Sequence, residues 1–101
     1  MMMFPLNVFG DLLLGRELGK KVRNSIEEIL QSNENIIIDF TGINGTSQSF
    51  ADELFGTLIE EMGLDKFKKK IKTKNANPEV QSIIKHVLIN RLEKLNSYCQ
   101  M

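Results

Sequence analysis

Apolar and polar residues change their spacing several times along the chain, and each change marks an element. Phe4 to Phe9 and Leu12 to Leu14 are short apolar runs separated by Gly10-Asp11, a pair that suits a type I′ or II′ turn and predicts a small hairpin. After Gly15, Leu18, Val22, Ile26 and Ile29 recur at helical intervals. Lys20, Lys21, Arg23, Asn24, Glu27 and Glu28 fall mostly on the other side, so the spacing predicts an amphipathic helix over 16–31. Asn33-Glu34-Asn35 breaks that pattern. Ile36 to Phe40 is β-branched and apolar on both faces, as expected of a strand at a sheet centre.

Thr41 to Gln48 is rich in Gly, Ser, Thr and Asn and reads as a loop leaving that strand. Ser49 fits the N-cap of a second helix over 50–62, with Asp52 at capping-box spacing. Ala51, Leu54, Phe55, Leu58 and Met62 form its buried stripe, and Gly63 is its stop. From Phe67 to Lys74 the residues alternate. Phe67, Ile71 and Thr73 fall on one face and Lys68, Lys70, Lys72 and Lys74 on the other, which predicts a half-exposed edge strand. Asn77-Pro78-Glu79 then supplies an N-cap, a first-turn proline and an acid for the helix dipole, opening a last helix over 78–97. Val80, Ile84, Val87, Leu88, Leu95 and Tyr98 lie along one side of it, while His86 and Ile89 point away. The expected fold class is α/β: one domain over 1–101, a small mixed β-sheet with helices packed mainly on one face, in the order β-β-α-β-α-β-α.

Length and composition narrow the function classes. A chain of 101 residues builds one core and has no room for a separate cofactor-binding half. One cysteine, Cys99, forms neither an internal disulfide nor a multi-cysteine zinc site, so a reducing cytoplasm fits. No apolar run is long enough to cross a bilayer, and the first residues lack the pattern of a signal peptide, so no membrane role is expected. The thirteen basic and thirteen acidic side chains cancel, yet they are segregated. Residues 1–65 hold four Lys/Arg against eleven Asp/Glu, and residues 66–101 hold nine against two, so the parts carry about −7 and +7. Such segregation serves docking between the halves or presents charged patches to partners.

Few residues point to chemistry. Gly10 to Glu17 has the gap of a phosphate-binding loop, but three leucines fill it and Glu17 stands where a magnesium-binding hydroxyl belongs, so the hairpin reading is preferred. His86, the only histidine, has Asn90 and Glu93 as its neighbours, a thin set for a metal site or a triad; a solvent-facing helix residue is the simpler reading. Cys99 reads as a bystander. No catalytic residue, metal or cofactor is expected. The basic patch Lys68, Lys70, Lys72 and Lys74, with Lys66 and Lys69, could neutralise phosphates, but arginine and aromatic companions are scarce and lysine commonly protects an edge strand from pairing. The most informative stretch is Thr46, Ser47, Gln48, Ser49, Asp52 and Glu53, where hydroxyls sit at the positive end of a helix dipole. Ser49 as a plain cap accounts for one of them. Phosphate on Ser47 or Ser49 would add about 1.5–2 negative charges, and Asp52 and Glu53 would repel it.

Ile36-Ile-Ile-Asp39-Phe-Thr-Gly42-Ile followed by Gln48-Ser-Phe-Ala-Asp52-Glu-Leu-Phe55 resembles the signature of the STAS-like family of small bacterial and archaeal domains of unknown function. Gly10, Gly15-Arg16 and the helix after them, and Asn75, Asn77 and the Val80 to Ile84 segment, extend the resemblance over nearly the whole chain. It implies kinship with anti-sigma-factor antagonist domains, which change partners when a serine or threonine at the start of a helix is phosphorylated; Thr46 to Ser49 is the matching region. The chain has Ser-Gln-Ser-Phe where the better-known antagonists carry Asp-Ser-Ser/Ala-Gly.

The expectation is a non-enzymatic regulatory protein-interaction module that contacts another protein through the 45–53 corner. The resemblance implies a histidine-kinase-type ATPase or anti-sigma-like regulator as partner. The alternative is a nucleic-acid accessory protein binding through the Lys66–Lys74 strand, with affinity that falls steeply with salt. A homodimer is also expected to be open to this fold, because helices on one face leave Ile37 on the other.

Overall fold

The protein's structure, a computed structural model, describes residues 2–32 and 34–99, with side chains described as far as residue 94. Asn33, and the side chains of Leu95, Tyr98 and Cys99 on which expectations were placed, lie outside that description. The elements are β1 (Met2–Pro5), β2 (Leu12–Leu13), α1 (Arg16–Gln31), β3 (Ile36–Asp39), β4 (Gly45–Thr46), α2 (Gln48–Ala51), a π-helical stretch (Asp52–Gly56), α3 (Thr57–Met62), α4 (Leu64–Lys70), β5 (Ile71–Lys74) and α5 (Pro78–Cys99). From α2 through the π stretch to α3 the junction residues keep right-handed helical angles, so 48–62 is one continuous helix.

β3 takes the centre of a three-stranded sheet, between β1 and β5, because its isoleucines can be buried on both faces. Ile36 and Ile38 face the helices and are fully buried, each stabilising by about 1.5–3 kcal/mol; Ile37, on the other face, is half-buried. β1 and β5 both run parallel to β3, with Met2 and Ile71 in register with Ile36. The helix 48–62 lies between α1 and α5, and its Phe55 stacks on Phe40 at the end of β3, ring centres 6.2 Å apart.

Four expectations require correction. The sheet is parallel, not mixed, because each link from β1 to β3 to β5 crosses over through a helix. There is no N-terminal hairpin. Gly10 has φ 117° and ψ −177°, unlike the central residue of a tight hairpin turn, and Asn7–Phe9 form a short 3₁₀ turn instead. Leu6 N–H continues the β1 ladder onto the Asp39 carbonyl, while β2 pairs in parallel with β4, a strand absent from the expected order. Third, Phe67 to Lys70 is helical. Gly63, at φ 81°, ends one helix and lets the next restart with Asp65 in its first turn and Lys68, Lys69 and Lys70 in its last, each suiting the dipole. Lys68 and Lys70 therefore do not share a strand face with Lys72 and Lys74. Phe67 and Ile71 are buried as expected, whereas Thr73 is exposed.

The fourth correction concerns the second helix, which begins at Gln48 with Ser47, not Ser49, as its N-cap. Asp52 makes no capping box, because its carboxylate is held by two arginines. α1 occupies 16–31, and Asn77 Oδ1 accepts from Val80 N–H at 2.8 Å to open α5. Val80, Ile84 and Val87 are buried, and His86 and Ile89 are exposed.

Candidate functional site

The carboxyl ends of β3 and β5 are stapled together, and the staple aims the loop between β3 and the next helix. Asp39 Oδ1 accepts from Thr41 N–H (3.0 Å), Thr41 Oγ1 (2.7 Å) and Asn75 Nδ2 (3.1 Å), and Asn75 Nδ2 also donates to Thr41 Oγ1 at 2.9 Å. The side-chain and backbone hydrogen bonds from Thr41, then that from Asn75, hold the Asp39 carboxyl below its ordinary pKa. Asn77 Nδ2 donates to the Asn44 carbonyl (3.2 Å), and Asn44 N–H donates to the Asp11 carbonyl (2.7 Å). The loop is thus tied to the connection between β5 and α5 and to the segment before β2.

Those ties deliver Ser47 to the meeting point of two helix starts. Its hydroxyl oxygen accepts from Phe50 N–H (3.1 Å), capping α2, and from Gly15 N–H (3.0 Å), at the entry of α1. Ser47 N–H donates to the Leu13 carbonyl at 3.0 Å. With both acceptor sites of Ser47 Oγ occupied, its proton is the one placed to donate to Ser49 Oγ, 3.1 Å away. The Ser49 proton then has no acceptor among the described residues. Gln48 is exposed, and Thr46, Ser47 and Ser49 are half-buried; Thr46 Oγ1 is buried without a hydrogen-bond partner among the described residues.

One turn on, Asp52 and Glu53 are paired. Arg91 forks onto Asp52 (Nε–Oδ1 and Nη2–Oδ2, both 3.1 Å), and Arg16 Nη1 reaches Asp52 Oδ2 at 3.0 Å. Partial burial alone would raise the Asp52 pKa, but the hydrogen bonds from Arg91 and Arg16 outweigh it and hold the carboxyl below its ordinary range. Arg23 donates to both the carbonyl (2.9 Å) and the carboxylate of Glu53, and Arg91 Nη1 reaches Glu60 at 2.8 Å. The expected repulsion between Asp52, Glu53 and a phosphate on this corner is therefore offset, because both acids are already neutralised. Gly56 leaves room for this arrangement: a Cβ there would lie 3.0 Å from Arg91 Nε, and the guanidinium would have to give way. Gly19 does the same for α1, where a Cβ would stand 2.9 Å from the Phe50 carbonyl oxygen.

The corner residues expected from sequence come together, with Ser47 and Ser49 exchanging roles as cap and neighbour. The lysines do not form one stripe. Lys68 lies on α4, ahead of β5, and Lys72 and Lys74 lie on the open face of the sheet. Arg16, Arg23 and Arg91 were not foreseen as part of the corner; the opposite charge of the two parts of the chain was the available signal, realised by Arg91 on Asp52 and Glu60. His86 is exposed and hydrogen-bonds to Asn90 (3.2 Å), and among the described residues no cluster of three His, Cys, Asp or Glu could hold a metal. No helix among the described residues is long and apolar enough to cross a membrane.

Comparison with known proteins bears on this geometry. Residues 19–81 match the family model described as a STAS-like domain of unknown function (DUF4325), a span that runs from the packed face of α1 through the whole corner to the first turn of α5. No curated protein and no solved structure matches the chain.

Proposed function

The chain belongs to this STAS-like domain family, and we propose that it is a non-enzymatic regulatory module that docks another protein through the 45–53 corner. Ser47 is the pin of the corner and Ser49 its switch. The observation that carries this reading is the division of labour between the two hydroxyls. Ser47 Oγ is saturated by Gly15, Phe50 and Ser49, whereas the Ser49 hydroxyl, beside exposed Gln48, hydrogen-bonds to Ser47 alone among the described residues. Phosphate on Ser49 would add charge to the docking surface while leaving the cap in place, and Arg16, 59% exposed at the start of α1 and already paired with Asp52, is the cation proposed to answer it. Phosphate on Ser47 would instead break the joint between the two helix starts.

The partner that fits is a histidine-kinase-type ATPase or an anti-sigma-like regulator, which would bind the unmodified corner and release the phosphorylated one. Incubation with candidate ATPases and ATP, followed by intact-mass measurement and peptide mapping, is expected to add one phosphate at Ser49, and Ser49→Asp is expected to weaken binding. No added phosphate, together with unchanged binding by Ser49→Asp and Ser47→Asp, would reject the switch.

A further inference from the structure

We propose that the outer edge of β5, with the cleft between β5 and α5, takes an extended segment of another protein in which apolar and acidic residues alternate. This surface shares no residue with the 45–53 corner.

β5 is an edge strand, with β3 on one side and, among the described residues, no strand on the other. Phe40 N–H donates to the Lys74 carbonyl at 2.8 Å, so Lys74 and, by the two-residue alternation, Lys72 turn their backbone groups toward β3. Ile71 and Thr73 turn theirs outward. Ile71 N–H is spent on the Phe67 carbonyl at the end of α4. That leaves the Ile71 carbonyl and both backbone groups of Thr73 for a fourth strand, the arrangement used when a sheet captures an extended peptide.

Side chains specify what that strand must carry. On the helix side of β5, two adjoining clefts of about 270 and 320 Å³ share Thr73, Ile84 and Leu88. One is bordered by Ile89, which is 43% exposed, and the other reaches Phe67. A strand laid beside β5 would send every second side chain into this apolar trough and the others to the open face, where Lys72 stands. The cations on that open face are Lys72 and Lys74, while Lys68 and Lys85 stand beside the clefts; no acidic residue lines either cleft, and none of the four forms an ion pair among the described residues. Apolar residues on one face and acids on the other complement this edge. A second copy does not, since pairing β5 with β5 would set Lys72 and Lys74 against their equivalents, and like charges across a ladder are destabilising. The lysines that block self-pairing thus select an acidic strand.

The test uses a blocked octapeptide alternating valine and glutamate, with a valine–lysine octapeptide as control, added to the ¹⁵N-labelled chain. The valine–glutamate peptide is expected to shift the amides of Lys72 and Thr73 and to slow hydrogen exchange at Thr73. The double variant Lys72→Glu/Lys74→Glu is expected to weaken that peptide roughly five- to tenfold and to gain affinity for the control. Thr73→Pro removes an outward-facing N–H at an edge position that tolerates proline, and is expected to abolish binding with the circular dichroism unchanged; should that variant misfold, the charge-reversed double variant decides. Equal binding of both peptides to the unaltered chain, shifts confined to another surface, no shift at millimolar peptide, or a dimer formed through β5 would each overturn the proposal.

Discussion

Replacing Ser47 by alanine tests the pin directly. The hydroxyl accepts two backbone N–H groups that belong to different helices, Phe50 at 3.1 Å and Gly15 at 3.0 Å. Losing the cap costs about 1 kcal/mol, and leaving the half-buried Gly15 N–H without its partner costs about 1 kcal/mol more. The expected loss is about 2 kcal/mol, which for a domain of this size lowers Tm by roughly 8–16 °C. Urea unfolding followed by circular dichroism measures it, with the slope unchanged so that the midpoint reports stability. Ser47→Asp retains a capping oxygen and should stay within about 0.5 kcal/mol of the parent. Ser49→Ala should do the same, since among the described residues that hydroxyl hydrogen-bonds to Ser47 alone. A loss below about 0.5 kcal/mol for Ser47→Ala, or an equal loss for Ser49→Ala, would refute the assignment of pin and switch.

Three further outcomes follow from packing and charge. Asp52→Asn removes the charge that holds Arg16 and Arg91 and should cost about 1–2 kcal/mol at neutral pH. Because the folded-state pKa of Asp52 is depressed, its contribution is complete above the ordinary carboxylate pKa and lost as pH falls through its own lower value. Stability curves measured from neutral to acid pH should therefore fall less steeply in Asp52→Asn. Glu61 shows the opposite sign: the hydrogen bond its protonated carboxyl donates to Glu27, then burial, raises its pKa, so its carboxylate form opposes folding as pH rises through that value. Glu61→Gln should accordingly be more stable than the parent at neutral pH, with the gain shrinking in acid, as read by thermal melts across pH. Gly19→Ala drives a methyl to 2.9 Å from the Phe50 carbonyl oxygen and should cost roughly 1–3 kcal/mol despite the better helix propensity of alanine; a stabilised variant in the same melts would contradict the close approach of α1 to the helix 48–62.

What was legible in the sequence was what short-range pattern controls. α1 and the start of α5 follow from helical spacing and from Asn77-Pro78, and the central strand from Ile36-Ile37-Ile38. Pairing direction was not legible, because parallel ladders join residues separated by whole helices, and Gly10-Asp11 offered a local hairpin that nothing nearby could veto. Phe67 to Lys74 satisfies two periods at once. Phe67 and Ile71 are four apart, which serves a helix face, and also two strand steps apart; Gly63 and the dipole settle the first part as helix. At the corner, Ser47 and Ser49 are equally good caps by composition, and only the approach of Gly15 decides between them. Arg16 and Arg91 reach Asp52 across 36 and 39 residues, a distance at which charge segregation is visible and partner choice is not.

Where a partner touches the chain distinguishes the 45–53 corner from every other surface. Hydrogen–deuterium exchange of the chain alone and with a candidate histidine-kinase-type ATPase locates that contact. The expected result is slowed exchange confined to the loop and helix start around Gln48, and its disappearance when Ser49 is replaced by aspartate. Protection elsewhere with the corner left as open as in the isolated chain would contradict it.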